Sequence, residues 1–217
     1  MSEIINTYSF SQQEQLIPMD RDDFYAEQIA LAESGQPTNK YVEIVNVFLF
    51  TEHGELIVQK RSRNKKHNPN LLDKSMGGHV RCGDTPNLTA MVETVQELQT
   101  PSIVLNNKID FLKTYRTLEG YLTTTAILQY ITTIDRILPK IINAKTVPIG
   151  NRAHVFFWIY GGKVKNVDRE AKGILYYSID DLLEEMREFP DTFTQDMHFY
   201  MKEFFTEMRE FLTTIGK

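Results

Sequence analysis

The amino-acid sequence predicts an α/β fold, and three observations carry that prediction. Residues 41–50, YVEIVNVFLF, are rich in the β-branched and aromatic side chains that favour buried strands. Residues 154–160, HVFFWIY, give the strongest buried-strand signal and are followed by two glycines. Between these strands, residues 85–98 have the capping residue and the spacing of an amphipathic helix.

Length, charge and cysteine content restrict the class of protein. A chain of 217 residues that is 41% hydrophobic can bury a sizeable core, which predicts one domain with additions. The formal net charge of −5 argues against a nucleic-acid-binding protein. A single cysteine, Cys82, cannot form an internal disulfide and fits a reducing cytoplasm. No signal peptide is expected, since residues 1–10 lack a basic region and an apolar core, and no membrane span is expected, since no run of 18 apolar residues occurs.

The first part of the chain predicts an extension followed by a β-hairpin. Residues 1–40 are polar and are expected to be partly ordered at best, with a short helix at 22–32 before a Gly-Gln-Pro break. Strand 41–50 then turns at residues 52–54 and returns as a strand at 55–60. The basic cluster that follows spans residues 60–67 and is either a solvated loop or a diphosphate-binding loop. Its position before an acidic helix favours diphosphate binding.

The helix at residues 85–98 has well-defined ends. Thr85 suits the N-cap, Pro86 suits the first helical position, and Pro101 prevents continuation. An apolar stripe is expected to pack against the core; it consists of Leu88, Met91, Val92, Val95 and Leu98. Polar residues fall on the other side, namely Glu93, Gln96 and Glu97. Two glutamates one turn apart form either a solvated surface or a binding site for a divalent cation on a diphosphate.

The later elements are predicted as follows. Residues 109–115 are expected to form a strand, and residues 117–145 an insertion whose apolar spacing favours a helix. After strand 154–160, residues 163–167 and 174–177 continue the β pattern, and Ser178 begins a helix that extends to about residue 187. A last helix, 195–213, carries a methionine and aromatic stripe that is expected to be core. The inserted and C-terminal helices are compatible with a homodimer.

The loop and helix at residues 78–99 resemble the Nudix box, the signature of the Nudix superfamily. Counted from Gly78, its spacing places Asp84, Glu93, Gln96 and Glu97 at the acidic positions of the box without a gap. The identities depart from the pattern at several places: Val92 replaces an arginine, Gln96 a glutamate and Gln99 a glycine, and Asp84 is a shorter acid. The box is therefore degenerate.

The resemblance implies a fold, a cofactor and a set of site residues. It implies an α/β/α sandwich with a mixed sheet, the box helix on one side and the C-terminal helices on the other. It also implies that Mg²⁺ or Mn²⁺ is held by the Gly78 carbonyl, Glu93, Gln96 and Glu97. In this resemblance Glu93 and Glu97 are the catalytic residues, and Asp84 supports the loop. Because a glutamine amide is a neutral and weaker ligand, fewer or weaker metal sites are expected.

Residues 59–84 are similar to the branch of this superfamily that contains type I isopentenyl diphosphate isomerase. The resemblance implies that Arg61 and Lys65 bind a diphosphate and that His79 is a metal ligand or contacts the substrate. Isomerase chemistry is disfavoured because Gly77 occupies the position of the protonating cysteine. Arg152 and His154 also stand where glutamates are expected. Arg152 is a candidate for charge stabilisation at the substrate.

Two functional hypotheses follow from these residues. The leading one is a metal-dependent hydrolase that cleaves a diphosphate linkage in a small-molecule nucleoside diphosphate derivative, with weak or substrate-restricted activity because of the degenerate box. The alternative is a Nudix-fold module that binds a diphosphate or a nucleotide and has lost turnover. A Gln96→Glu substitution separates them, because only a weakened enzyme gains activity from the restored carboxylate.

Overall fold

The computed structural model describes residues 3–164 and 171–217. The predicted α/β class is confirmed, with one mixed β-sheet between two layers of helices. The strands in this part of the chain are β1 (Ile4–Ser9), β2 (Gln12–Asp20), β3 (Lys40–Thr51), β4 (Leu56–Arg61), β5 (Leu72–Asp73), β6 (Met76–His79), β7 (Ser102–Leu105), β8 (Ala126–Ile142), β9 (Lys145–Tyr160) and β10 (Ala171–Tyr177). The helices are α1 (Arg21–Glu33), α2 (Pro86–Leu98), α3 (Lys108–Leu118), α4 (Ile179–Glu188), α5 (Gln195–Glu203) and α6 (Phe205–Thr214).

The sheet has the order β10-β4-β3-β9-β8-β7. The pairs β3–β9 and β7–β8 are parallel, and the other pairs along this path are antiparallel. Strands β1 and β6 both pair with β3, and β5 pairs with β4. Strand β3 therefore lies at the centre of the fold, next to β4, which leads into the basic loop, and to β6, which leads into the box.

The two faces of the sheet are covered by different helices, as the resemblance implied. One face packs against α1 and α3–α6 through a large cluster that includes Phe24, Phe111 and Phe211. The other face packs against α2 through a smaller cluster that includes Ala90, Leu98 and Trp158. The methionine and aromatic stripe of the C-terminal segment is core, as predicted, but the chain breaks at Phe204 into two helices instead of one.

The expectation that residues 1–40 are partly ordered at best is wrong for residues 3–40, the part of this segment that the structure describes. Strand β1 pairs with both β2 and β3, and the following helix α1 confirms the helix predicted at 22–32. Ile5 and Phe24 are completely buried. The N-terminal segment is therefore held by sheet hydrogen bonds and by burial of apolar side chains, which its polar composition concealed.

The secondary structure predicted for residues 109–145 is also wrong, with helix and strand exchanged. Residues 109–115 lie in α3, where the Asn107 side chain accepts a hydrogen bond from the backbone of Asp110, and Phe111 and Tyr115 are buried one turn apart. The expected inserted helix is instead the long strand β8, paired with β9 in a hairpin. Asn143 and Ala144 form its two-residue turn, both with positive φ. The six isoleucines and two threonines of β8 follow their β propensity.

The packing face predicted for α2 is also corrected by the structure. The stripe residues Leu88, Met91 and Val95 are 45%, 38% and 51% exposed. Leu98 of the predicted stripe is buried, as expected. The rest of the buried face consists of Thr89, Ala90, Thr94 and Glu97, and the small side chains of Ala90 and Thr94 allow the helix to approach the sheet closely. The strands predicted at 41–50, 55–60, 154–160 and 174–177 are confirmed, as are the helix at 178–187 and the ends of α2. Residues 165–167 of the predicted strand 163–167 lie outside the described residues.

Candidate active site

The turn between β6 and α2 places a backbone segment against a carboxylate. Strand β6 pairs with β3 so that Gly78 lies opposite Val45. The Thr85 side chain caps α2 by accepting a hydrogen bond from the backbone N–H of Leu88 at 3.2 Å. A Cβ atom at Gly78 would lie 2.3 Å from Oε1 of Glu93. Glycine is therefore required at position 78, because only glycine lets the Glu93 side chain lie directly on the backbone.

Most of the site residues predicted from the sequence line one cavity of about 250 Å³. Seven of them are brought together there: Arg61, Lys65, Gly78, His79, Glu93, Gln96 and Glu97. Glu97 is buried, Glu93 is partly buried and Gln96 is exposed. The cavity thus combines two carboxylates of α2 with basic side chains of the β4–β5 region, an arrangement suited to a metal-bound polyphosphate.

Arg61 is held in place by the loop that follows it. Its Nη1 donates to Oδ2 of Asp73 at 3.1 Å, and its Nε and Nη2 donate to the backbone carbonyl of His67 at 3.2 and 3.0 Å. The side chain of Asp73 is buried. Burial alone would raise the pKa of Asp73, but the charges of Lys74 and Arg61 outweigh it and lower this pKa. Arg61 therefore has a structural role in shaping the loop as well as a place on the cavity wall.

His79 and His67 are neutral side chains at one side of the cavity. The Tyr25 hydroxyl lies 3.0 Å from Nε2 of His79, and the Tyr25 ring centroid lies 4.1 Å from that of His67. Burial, together with the nearby charges of Arg21 and Lys140, holds the pKa of His79 well below its usual value. The same causes lower the pKa of His67 to about 3. Neither ring therefore adds positive charge at neutral pH.

Arg152 and Asp84 lie away from this cavity. The Arg152 guanidinium binds Asp135 through Nε and Nη2, at 3.0 and 2.9 Å, and stacks over the Tyr8 ring. It lines a second, open cavity with His154, whose Nε2 lies 2.8 Å from Oε1 of Glu43. Asp84 occupies a turn in which its backbone N–H donates to the carbonyl of Arg81. Arg152 therefore does not face the cavity that holds the box residues.

Several cavity residues were not predicted from the sequence. The N-terminal segment contributes Glu3, Arg21 and Tyr25, and strand β8 contributes Lys140. Arg21 and Tyr25, at the start of the helix predicted for residues 22–32, were the available signal in the N-terminal segment. Lys140 had no such signal, because it reaches the cavity only through the β8–β9 hairpin.

Buried charges form the inner wall of the cavity. Nζ of Lys74 lies 3.5 Å from Oδ1 of Asp73 and 3.4 Å from Oδ2 of Asp196. Thr194 donates a further hydrogen bond to Asp73 at 2.9 Å. Burial alone would lower the pKa of Lys74, but Asp73 and Asp196 raise it, so the lysine stays charged. This wall ties the β5–β6 segment to the start of α5.

The oxygen donors at the box fit a divalent cation only in part. The carboxylates of Glu93 and Glu97, the amide of Gln96 and the backbone at Gly78 supply hard oxygen atoms, as Mg²⁺ prefers. In the described part of the chain, however, no three His, Cys, Asp or Glu side chains are clustered as a ready-made metal site. A cation here would complete its coordination with water and with phosphate oxygens of a ligand.

A sequence model of the NUDIX domain matches residues 40–197, which is more than half of the chain. The isopentenyl-diphosphate Delta-isomerase of Streptomyces coelicolor is 34% identical over 70 residues, or 32% of this chain and 36% of that protein. An uncharacterized Nudix hydrolase of Listeria innocua is 34% identical over 68 residues, 31% of this chain and 40% of its own length. A Nudix hydrolase of Deinococcus radiodurans is 46% identical over 44 residues, 20% and 26% of the two chains. The alignments thus span about a quarter to two fifths of these relatives.

Solved structures with a similar arrangement include a Deinococcus radiodurans protein at a TM-score of 0.49, with 15% identity over 86% of this chain and 88% of that one. A bifunctional NMN adenylyltransferase/ADP-ribose pyrophosphatase of Francisella tularensis, crystallised with AMP and a manganese ion, also has a TM-score of 0.49. It is 13% identical over 86% of this chain and 47% of its own. Among the described residues, no helix is both long and apolar enough to cross a membrane.

Proposed function

This chain belongs to the Nudix family, and we propose that it is a hydrolase that cleaves a diphosphate linkage in a nucleoside diphosphate derivative with the help of Mg²⁺ or Mn²⁺. The observation that carries the proposal is the single cavity in which the box carboxylates meet Arg61, Lys65 and His79. Carboxylates on one side and cations on the other are what a diphosphate needs when it binds with a metal ion.

The residues that line this cavity would have different roles. Glu93 and Glu97, with the Gly78 backbone and Gln96, would hold the cation, and Asp84 would support the turn before α2. When bound, a divalent cation neutralises phosphate charge and lowers the pKa of water. Arg61 and Lys65 would orient the diphosphate, and the buried Lys74 would keep the inner wall of the cavity rigid through its ion pairs.

Two observations favour hydrolysis over isomerisation. Gly77 stands at the position of the protonating cysteine, and it pairs with Asn46 in the sheet. A side chain there would also be crowded, because a Cβ atom would lie 3.0 Å from Cε of Lys74. Arg152, at the other departure from the isomerase pattern, binds Asp135 outside the cavity. The residues of this chain therefore do not support the isomerase activity for which the Streptomyces relative is named.

The first test is metal-dependent release of products from a panel of nucleotide sugars, dinucleotides, nucleoside triphosphates and isopentenyl diphosphate. Glu97→Gln keeps the size of the buried side chain and removes its charge, so it should lower kcat by about 10²-fold or more. Glu207→Gln, an exposed glutamate of α6, is the matched control and should leave the rate unchanged. Turnover that is equal in the wild type and in Glu97→Gln would contradict the proposal.

A non-catalytic binding module is the second candidate, and Gln96 favours it. Its neutral amide replaces a carboxylate at the box, which reduces the charge available to hold a cation. Gln96→Glu should raise metal-dependent hydrolysis several-fold if the chain is a weakened enzyme. A binder would bind ADP-ribose or a nucleotide sugar equally well in both forms, as measured by calorimetry, and would show no turnover in either.

A further inference from the structure

One side of the cavity is strongly basic. Its cations come from four separate segments: Arg21 in α1, Arg61 at the end of β4, Lys65 in the loop that follows and Lys140 in β8. Arg21, Lys65 and Lys140 line the cavity together with His67 and His79. Four chain segments thus bring positive charge to one region of the cavity.

The partners of these cations differ. Nη1 of Arg21 lies 3.1 Å from Oε2 of Glu3, and Arg61 binds the buried Asp73. Lys140, in contrast, forms no ion pair with any residue in the described ranges 3–164 and 171–217, although it lines the cavity and is only partly exposed. A partly desolvated lysine without a carboxylate is a good point of attachment for an anion.

The backbone on the C-terminal side of Lys140 is held in position by Asn68. The backbone N–H of Asn68 donates to the carbonyl of Ile141 at 2.8 Å, and the N–H of Ile141 donates to the Asn68 side chain at 2.7 Å. These two hydrogen bonds join the β8–β9 hairpin to the basic loop directly beside Lys140. The lysine stem therefore begins at a fixed point, so that less conformational freedom is lost when its ammonium group binds a ligand.

We propose that Lys140 and Arg21 form an anion subsite that binds a phosphate group of the ligand other than its scissile diphosphate. This inference rests on the proposed function, because it assumes that the diphosphate lies between the box helix and Arg61 and Lys65. The phosphate recognised could be a phosphomonoester on the ribose or the terminal phosphate of a nucleoside triphosphate. Both present a compact dianion that suits a lysine and an arginine from different elements.

The test compares ligands that differ by one phosphate. The pairs are NADPH with NADH, coenzyme A with dephospho-coenzyme A, and ATP with ADP, each titrated by calorimetry without metal and then assayed with Mg²⁺. In at least one pair the wild type should bind the ligand with the extra phosphate about tenfold more tightly. Lys140→Gln and Arg21→Gln should each remove most of that preference and change the binding of the other ligand by less than about twofold.

Two further variants serve as controls. Lys145→Gln removes a charge from the same hairpin, at an exposed residue that pairs with Glu33, and should keep the preference. Lys140→Arg keeps the charge and should largely keep the preference for the ligand with the extra phosphate. If Lys140 had a purely structural role, the preference would stay intact in Lys140→Gln. The subsite is refuted if no pair is discriminated, or if Lys140→Gln weakens both ligands of a pair equally, which would assign Lys140 to the diphosphate itself.

The two proposals fail in different ways. Metal-dependent turnover without any preference within the pairs would overturn the subsite and leave the hydrolase. Preference in binding without turnover on any compound would overturn the hydrolase and leave the subsite.

Discussion

A methyl group added at Gly78 should separate the requirements of folding from those of the site. In Gly78→Ala the new Cβ atom would lie 2.3 Å from Oε1, 2.6 Å from Cδ and 2.8 Å from Cγ of Glu93. Ordinary van der Waals contact begins near 3.4 Å, so the Glu93 carboxylate must move by about 1 Å. The backbone of Gly78 does not have a positive φ, so alanine itself is not strained there.

The expected cost to stability is small because the displaced group is the end of a flexible side chain. A Glu93 rotamer shift costs about 1 kcal/mol, and some overpacking raises the total to about 1–2 kcal/mol. For a domain of this size that lowers Tm by roughly 3–6 °C. Activity should fall much further, by about 10²-fold in kcat/KM, since a displacement of about 1 Å at a reacting centre has that effect.

The assay is metal-dependent hydrolysis of the best substrate, together with thermal unfolding, in a double-mutant cycle with Glu93→Ala. Once the Glu93 side chain is removed, the alanine at position 78 has nothing to displace, so Gly78→Ala should have almost no further effect on activity. Gly77→Ala is the matched control, with contacts of 3.0–3.2 Å to Lys74, Val45 and Asn46. Full additivity of Gly78→Ala and Glu93→Ala would refute the reasoning.

Three further predictions follow from the structure. Because the pKa of Asp73 is lowered in the folded state, its contribution to the free energy of unfolding is present above about pH 4 and is lost as the pH falls below that value. Urea unfolding should therefore show a steeper loss of stability in acid for the wild type than for Asp73→Asn, and equal slopes would contradict the ion pair with Lys74. Arg152→Gln should leave kcat/KM within about twofold of the wild-type value, because Arg152 lies outside the cavity. It should lower the free energy of unfolding by about 1–3 kcal/mol, because the ion pair with Asp135 is lost. A large fall in kcat/KM without a loss of stability would mean that Arg152 acts at the active site after all. Val95→Glu should change the free energy of unfolding by less than about 0.5 kcal/mol, since Val95 is 51% exposed, and a large loss would mean that the α2 stripe is covered in solution.

The errors in the predicted secondary structure have a common cause. Residues 109–115 and 126–142 have apolar spacing that fits either a helix or a strand, so the decision falls to packing. Strand β8 is stabilised by its long antiparallel pairing with β9, and α3 by burial of Phe111 and Tyr115 against the C-terminal helices. The same limit explains why Leu88, Met91 and Val95 of α2 are exposed, because amphipathicity indicates which residues are apolar but not which of them meet the sheet.

Local chemistry determined what the sequence alone could establish. The ends of α2 follow from Thr85, Pro86 and Pro101, and the strands β3, β4 and β9 follow from their β-branched and aromatic content, because these are interactions between near neighbours in the chain. The resemblance to the Nudix box, counted from Gly78, indicated Glu93, Gln96 and Glu97, which share the cavity, and Asp84, which does not line it. Only the tertiary structure brought Arg21 and Lys140 to that cavity and placed Arg152 outside it. Those positions depend on the pairing of β1 with β3 and of β8 with β9, and contacts between distant segments leave no periodic signal in the sequence.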